Sequence, residues 1–265
     1  TCAFRSGHFN PDEKDHGFAS ATGPHAGDLP NLVSIGGMAP DPPGYDLLSV
    51  LVGSEGTLGV ATRAVDALAA RHGVAREQVL PTSGGAEAFT LVARALTPTD
   101  AVVVHPQFTE PEAALRAAGH EVRHVLLRAE EGFALTPEAL GQIGDADLVV
   151  VGNPTNPTSV LHSRAALDAM RRPGRILVVD EAFADLTREP TTGALEPESV
   201  AGLRFPDVIV LRSITKTFGL AGLRAGYALG DPEVLARLRQ LGVLHVLPAD
   251  ADAGVIARAL REAVA

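Results

Sequence analysis

The stretch Ser213-Ile214-Thr215-Lys216-Thr217-Phe218-Gly219-Leu220-Ala221-Gly222-Leu223-Arg224-Ala225-Gly226 sets one lysine in a turn rich in hydroxyls and glycines, with an arginine beyond it. A lysine amine can form a Schiff base with an aldehyde. Hydroxyls, backbone N–H groups and a guanidinium can neutralise a phosphate held beside it. The turn therefore suits a phosphorylated aldehyde cofactor, and Lys216 is the candidate catalytic residue.

Outward from this turn, the chain from Ala64 onward alternates helical and strand signals. Helices are predicted over Arg63–His72, Ala86–Ala95, Glu110–Ala118 and Arg164–Arg171. Between and after them lie apolar runs of buried-strand length: Ala101–Val104, Val122–Leu127, Leu148–Val151, Ile176–Val179 and Val208–Leu211. This is the pattern of an α/β layer structure with a mostly parallel sheet, whose ligands bind where the carboxyl ends of the strands meet the following loops.

Chemistry-bearing residues fall at those ends. Thr82-Ser83-Gly84-Gly85-Ala86-Glu87 runs small residues straight into an apolar helix, offering free N–H groups and a favourable dipole to a phosphate, although Ser and Gly are also ordinary N-cap residues. Asp180 follows four apolar residues, where a carboxylate is costly unless it meets a positive group such as a protonated pyridine nitrogen. Asn156, in Gly152-Asn153-Pro154-Thr155-Asn156-Pro157-Thr158, has an amide that can donate to a ring oxygen, while Asn-Pro is equally an ordinary turn dipeptide. Phe108 follows the strand Ala101–Val104 and can stack on a flat aromatic ring or simply join the core. His105, beside it, is assigned no role.

Composition narrows the function classes. The chain has 265 residues, 46% of them hydrophobic, enough for a large domain with a real core. A formal net charge of −10 argues against nonspecific binding of nucleic acid, which needs a clustered basic surface. The single cysteine, Cys2, permits no internal disulfide and no multi-cysteine metal site, which fits a reducing cytosol. His8, Asp12, Asp15, His16 and His25 lack tight ligand spacing, so no metal is expected. No apolar window approaches the roughly 18 to 20 residues of a membrane span and no signal peptide is apparent, so a soluble cytoplasmic protein is expected.

With these motifs in order, the chain from about Val65 to Gln240 resembles the class I/II aminotransferases, the pyridoxal-phosphate enzymes of fold type I. By that resemblance Lys216 is the Schiff-base lysine, Asp180 the partner of the pyridine nitrogen, Asn156 the ligand of the ring oxygen and Phe108 the stacking aromatic. Gly85, Ala86, Ser213, Thr215 and Arg224 look like the phosphate cup. Within the family the chain is most similar to the branch of histidinol-phosphate aminotransferases and threonine-phosphate decarboxylases, the latter belonging to cobalamin biosynthesis. Phe183 stands where most transaminases of the family have a tyrosine that contacts the ring oxygen, and Pro106-Gln107-Phe108-Thr109-Glu110-Pro111 resembles the cobalamin-linked members. Ser159 replaces the glycine of the usual Asn-Pro-Thr-Gly, a change that costs little if its φ is negative. The resemblance implies a homodimer and a small, phosphorylated amino acid as substrate. It also leaves transamination and decarboxylation as alternatives that share one carbanion.

The ends depart from that pattern. The sequence after Lys216 is short for a small domain, and neither Arg258 nor Arg261 matches the late arginine that holds the substrate carboxylate in the family. Residues 44–60, with Gly53-Ser54-Glu55-Gly56-Thr57-Leu58-Gly59, resemble a segment of the FAD-linked oxidases. The expected organisation is an atypical segment over 1–62, a cofactor-binding large domain over 63–240 and a helical tail over 241–265. A non-catalytic cofactor-binding remnant and an FAD-dependent oxidoreductase are the remaining alternatives.

Overall fold

The computed structural model describes residues 57–217 and 225–241, apart from the side chains of 57–64 and 217. Arg224, Arg258, Arg261 and residues 44–56 of the oxidase-like segment lie outside the described residues. The chain divides into two units, His72–His245 and Thr1–Arg71 with Val246–Ala265.

Helix α1 spans Thr57–His72. It starts six residues before the predicted Arg63, so Thr57-Leu58-Gly59-Val60, the end of the oxidase-like segment, is helical.

The unit His72–His245 carries β1 (Val79–Thr82), β2 (Ala101–His105), β3 (Val122–Leu126), β4 (Leu148–Gly152), β5 (Ile176–Asp180), β6 (Val208–Ser213) and β7 (Gly226–Leu229). They form one sheet in the order β1-β7-β6-β5-β4-β2-β3. All neighbours pair in parallel except β7, which is antiparallel to both β1 and β6. Five strands match the predicted apolar runs. The two that do not are β1 and β7. Pro81 interrupts the apolar run of β1, and it is tolerated because β1 is an edge strand paired only with β7.

Helices α2 (Gly84–Leu96), α3 (Glu110–Ala117), α4 (Pro137–Ile143), α5 (Arg164–Asp168), α6 (Ile214–Thr217) and α7 (Pro232–Leu241) complete the unit. Two of them begin on well-made caps. Thr136 Oγ1 accepts from the Ala139 N–H ahead of Pro137, and Ser163 Oγ accepts from the Ala166 N–H. The helix predicted to reach Arg171 stops at Asp168. Its continuation tightens into three-residue bonds from Met170 to Leu167 and from Arg171 to Asp168 before Pro173.

One sheet face and its helices make the main core. Val103, Val150, Val178, Ile209, Leu211 and Ala228 pack with Ala88, Phe89, Leu91, Val92 and Ala93 of α2, Leu115 of α3, and Leu235 and Leu238 of α7. The alternate residues Val102, Val149, Val151, Leu177, Val179 and Val210 point to the opposite face and are buried too. Burial on both sides is why β2, β4 and β5 read as unbroken apolar runs instead of alternating ones. Their polar residues appear only where the strands end.

Candidate active site

The register brings the strand ends together. Gly152, closing β4, pairs with Asp180, closing β5, and Asp180 pairs in turn with Leu211 of β6, two residues before Ser213. Gly226 of β7 pairs with Ser213 on one side and with Thr82 of β1 on the other. The carboxyl ends of β1, β4, β5 and β6 therefore lie along one edge of the sheet, each continuing into a loop or helix that carries a candidate residue.

Lys216 is the third residue of α6, which follows β6 directly. The residue is exposed, its N–H reaches Ser213 Oγ at 3.4 Å, and its Nζ lies 5.9 Å from the centre of the Phe183 ring. Thr215 Oγ1 donates to the Ala225 carbonyl at 3.2 Å, and the Ile214 and Thr215 N–H groups bond to the same oxygen, which ties α6 to the strand entering beside it.

That strand entry needs a glycine. A Cβ on Gly226 would lie 2.8 Å from the Arg212 carbonyl oxygen and 3.0 Å from the Gly84 backbone. Only a residue without one lets β7 start so close to both β6 and the opening of α2. Gly84 itself has φ +79, the left-handed region in which glycine is at ease. Gly85 and Ala86 follow in the first turn of α2, where Ser83 makes no side-chain cap and Glu87 instead accepts from the Ser83 N–H at 2.5 Å. The opening of α2 and the end of β6 thus flank Gly226, and a helix opening of this kind favours an anion.

Asp180 keeps some exposed surface, yet it is enclosed closely enough that burial dominates its chemistry. Burial, with the neighbouring Glu181 carboxylate adding to it and the Ala182 N–H opposing it, pushes the carboxyl up from 3.8 to about 6. Among the described residues its carboxylate accepts only that N–H, at 3.1 Å, and meets no cation. An enclosed acid awaiting a positive partner fits a protonated ring nitrogen.

The remaining candidates sit on loops. Phe108 lies between β2 and α3 and is 42% exposed, which leaves its ring face available and argues against a purely core role. Asn156 is exposed on the loop after β4. That loop is held from within by Asn153, whose side chain donates to the His162 carbonyl at 3.2 Å and accepts the His162 N–H at 2.7 Å. The Asn153 N–H meanwhile bonds to the Asp180 carbonyl at 2.8 Å. Ser159 closes the same loop with its N–H on Thr155 and adopts φ +58, so the condition under which losing the glycine would cost little, a negative φ, is not met. The turn keeps the glycine-type backbone although the glycine is gone.

Sequence reasoning missed the charges behind the site. Arg212 in β6 and Glu181 after β5 have fully buried side chains 2.9 Å apart, with Asp185 3.4 Å from the same guanidinium and Glu196 also bound to it. Ser199 Oγ donates to Glu181 at 2.7 Å, as does the Val200 N–H. Burial disfavours charge on both partners. The carboxylates and Tyr227 around Arg212 more than restore it there and keep the guanidinium charged, whereas Glu181 stays above the usual carboxylate range. The available signal was an arginine inside an otherwise apolar strand, one residue before the site serine. Gln107 was missed as well. It is buried, donates to the Val150 carbonyl at 3.1 Å, and leaves Oε1, near Gly152, without a partner among the described residues.

The family model described as aminotransferase class I and II matches residues 56–262. The chain belongs to this family. Members of the class I and II aminotransferases are pyridoxal-phosphate-dependent, and the enclosed Asp180, the glycine-lined start of α2 and the lysine on α6 fit that cofactor. A histidinol-phosphate aminotransferase of Mycobacterium tuberculosis is 57% identical over 176 residues, 66% of this chain and 45% of that protein. The threonine-phosphate decarboxylase of Salmonella typhimurium is 35% identical over 182 residues, 66% of this chain and 48% of its own length. The chain thus spans about half the length of the curated relatives it matches. Among solved structures, an aspartate aminotransferase variant from Thermus thermophilus superposes with a TM-score of 0.65 at 25% identity, covering 76% of this chain and 60% of the other. The α/β fold with its mostly parallel sheet is accordingly that of the fold-type-I aminotransferases.

Proposed function

We propose that the chain is the cofactor-binding part of an aminotransferase for a small, phosphorylated amino acid. The observation that carries this reading is the joining of Lys216, on the helix leaving β6, to a strand-end row that also holds the enclosed Asp180. When bound, pyridoxal phosphate supplies an aldehyde that captures amines and a ring that draws electrons from the substrate α-carbon.

Lys216 is the residue that would hold it covalently. Gly85, Ala86, Ser213, Thr215 and Arg224 would take its phosphate, Asn156 its ring oxygen, Phe108 its ring face and Asp180 its ring nitrogen. In the reaction Lys216 Nζ accepts the proton that leaves the substrate α-carbon and returns it elsewhere, acting as general base and then general acid. Asp180, ionised once a cation faces it, keeps the proton on the ring nitrogen and so maintains the electron demand. The Phe183 ring bounds the space beside Nζ without offering a hydroxyl.

That last feature favours a second reading, threonine-phosphate decarboxylation, because a ring lacking the hydroxyl accompanies the similarity to a decarboxylase. The two reactions differ in which bond at the α-carbon aligns with the electron-withdrawing system. A dimer in the cytoplasm is part of the proposal. No helix among the described residues is long and apolar enough to cross a membrane.

The test is to incubate the purified protein with pyridoxal phosphate, reduce with borohydride and map the modified peptide. Label on Lys216, lost in Lys216→Ala, supports the reading, and product analysis with histidinol phosphate and threonine phosphate then separates the two reactions. Folded protein that takes no label, or takes it on another lysine, overturns it. Label without turnover on either substrate retains the cofactor and removes the proposed substrates.

A further inference from the structure

A second group of chemistry-bearing side chains lies further along the sheet, toward its β3 edge, and has no part in the reaction above. His105 closes β2, His124 stands on the edge strand β3, and Glu112 is in the first turn of α3. His105 pairs in register with Leu126, so His124, two residues earlier, projects from the same face of the sheet as His105. Both imidazoles turn their Nε2 atoms to one carboxylate: His105 Nε2 is 3.1 Å from Glu112 Oε2, and His124 Nε2 is 3.0 Å from Glu112 Oε1. The two rings meet edge to face with centres 4.8 Å apart, and ligand atoms of all three residues lie within 4.8 Å of one another.

These residues are grouped tightly enough to share one ion. Around a tetrahedral zinc ion with bonds of about 2.0–2.1 Å, neighbouring ligand atoms stand roughly 3.3 Å apart. Here each imidazole nitrogen stands at hydrogen-bond distance from a different oxygen of the one carboxylate, so side-chain adjustment within the 4.8 Å cluster is what brings the three ligand atoms around one ion. Two imidazole nitrogens and one carboxylate oxygen form a donor set suited to a first-row divalent metal and ill suited to magnesium or calcium. Side-chain exposures of 16, 21 and 38% for His105, Glu112 and His124 leave a route for a hydrated ion and room for water as the fourth ligand. One cation competes: Arg116 Nε is 2.8 Å from Glu112 Oε1, but that side chain is 50% exposed and can swing into solvent.

We propose that His105, Glu112 and His124 bind one divalent transition-metal ion, zinc foremost. The ion ties both ends of the loop 106–109, which carries Phe108, to the edge strand β3. It acts as a clamp on that loop and takes no part in bond making.

The experiment strips the purified protein with a chelator, dialyses it against zinc chloride and counts zinc per chain by mass spectrometry. Thermal unfolding is followed with and without the metal. The same is done for His124→Ala, whose exposed position on an edge strand spares the core, and for Glu112→Gln. Wild type should hold one more zinc per chain than either variant, and both variants should bind at least ~100-fold more weakly. Cobalt in place of zinc should give the strong visible absorption of a tetrahedral ion in wild type only. Failure of wild type to take up zinc overturns the assignment. So does equal uptake and an equal rise in melting temperature in both variants, which would place any bound metal on other residues of the chain, including His8, His16 and His25.

Discussion

Replacing Asp180 by asparagine should stabilise the cofactor-free protein at neutral pH while weakening its hold on the cofactor. The folded carboxyl has its pKa raised from 3.8 to about 6, chiefly by burial. A raised acid pKa means that the folded state binds the proton more tightly than the unfolded chain. The associated stability is complete below the unfolded value, declines as pH rises from about 3.8 through about 6, and is gone above that. The difference corresponds to roughly 3 kcal/mol, at about 1.4 kcal/mol for each pH unit. The substituted side chain would be isosteric and could still accept the Ala182 N–H, but its amide hydrogens need partners, so a gain of about 1–3 kcal/mol is the expectation. Urea unfolding at about pH 7.5 and about pH 4 should show Asp180→Asn more stable than wild type at the higher pH, with the gap closing at the lower. Saturating pyridoxal phosphate should reverse the order, because wild type alone provides an anion for the ring nitrogen. A cofactor-free variant less stable than wild type at neutral pH, or a difference that ignores pH, would refute the reasoning.

Three further outcomes follow from the same geometry. Gly226→Ala forces a methyl group against the Arg212 carbonyl and the Gly84 backbone, and should cost about 1–3 kcal/mol in urea unfolding together with a clear loss of cofactor affinity; unchanged binding would show that the start of α2 does not shape the phosphate site. Ser159→Gly relieves a residue held at φ +58 and should raise stability by about 0.5–1 kcal/mol, so a lower melting temperature would mean that the serine is not strained. Arg212→Met leaves the Glu181 carboxylate buried without its cation and should cost about 3–5 kcal/mol, part of it recovered by adding Glu181→Gln; a loss under about 1 kcal/mol would contradict the buried pair.

The candidate site was legible in part because its chemistry is local. Lys216, Ser213 and Thr215 are neighbours in sequence, and Asp180 announces itself as an acid at the end of an apolar run. The strands β2 to β6 were legible for the same reason, since burial on both faces leaves continuous apolar stretches. What escaped notice depends on residues far apart in the chain. Arg212 and Glu181 are separated by thirty residues and are meaningful only as a buried pair. His105 looked like an idle strand-end histidine until β3 and α3 brought His124 and Glu112 to it.

From the sequence alone came the α/β class, the candidate lysine and the run of strand-end polar residues, because periodicity and residue type are properties of short segments. The tertiary structure alone decided that β7 enters antiparallel between β1 and β6, that Gly226 must be a glycine, that Ser159 adopts a left-handed backbone, and that Asp180 is enclosed enough to resist ionisation. Each of these is set by which distant atoms come within a few ångströms, and close approach is a property of the packed chain that no local pattern encodes.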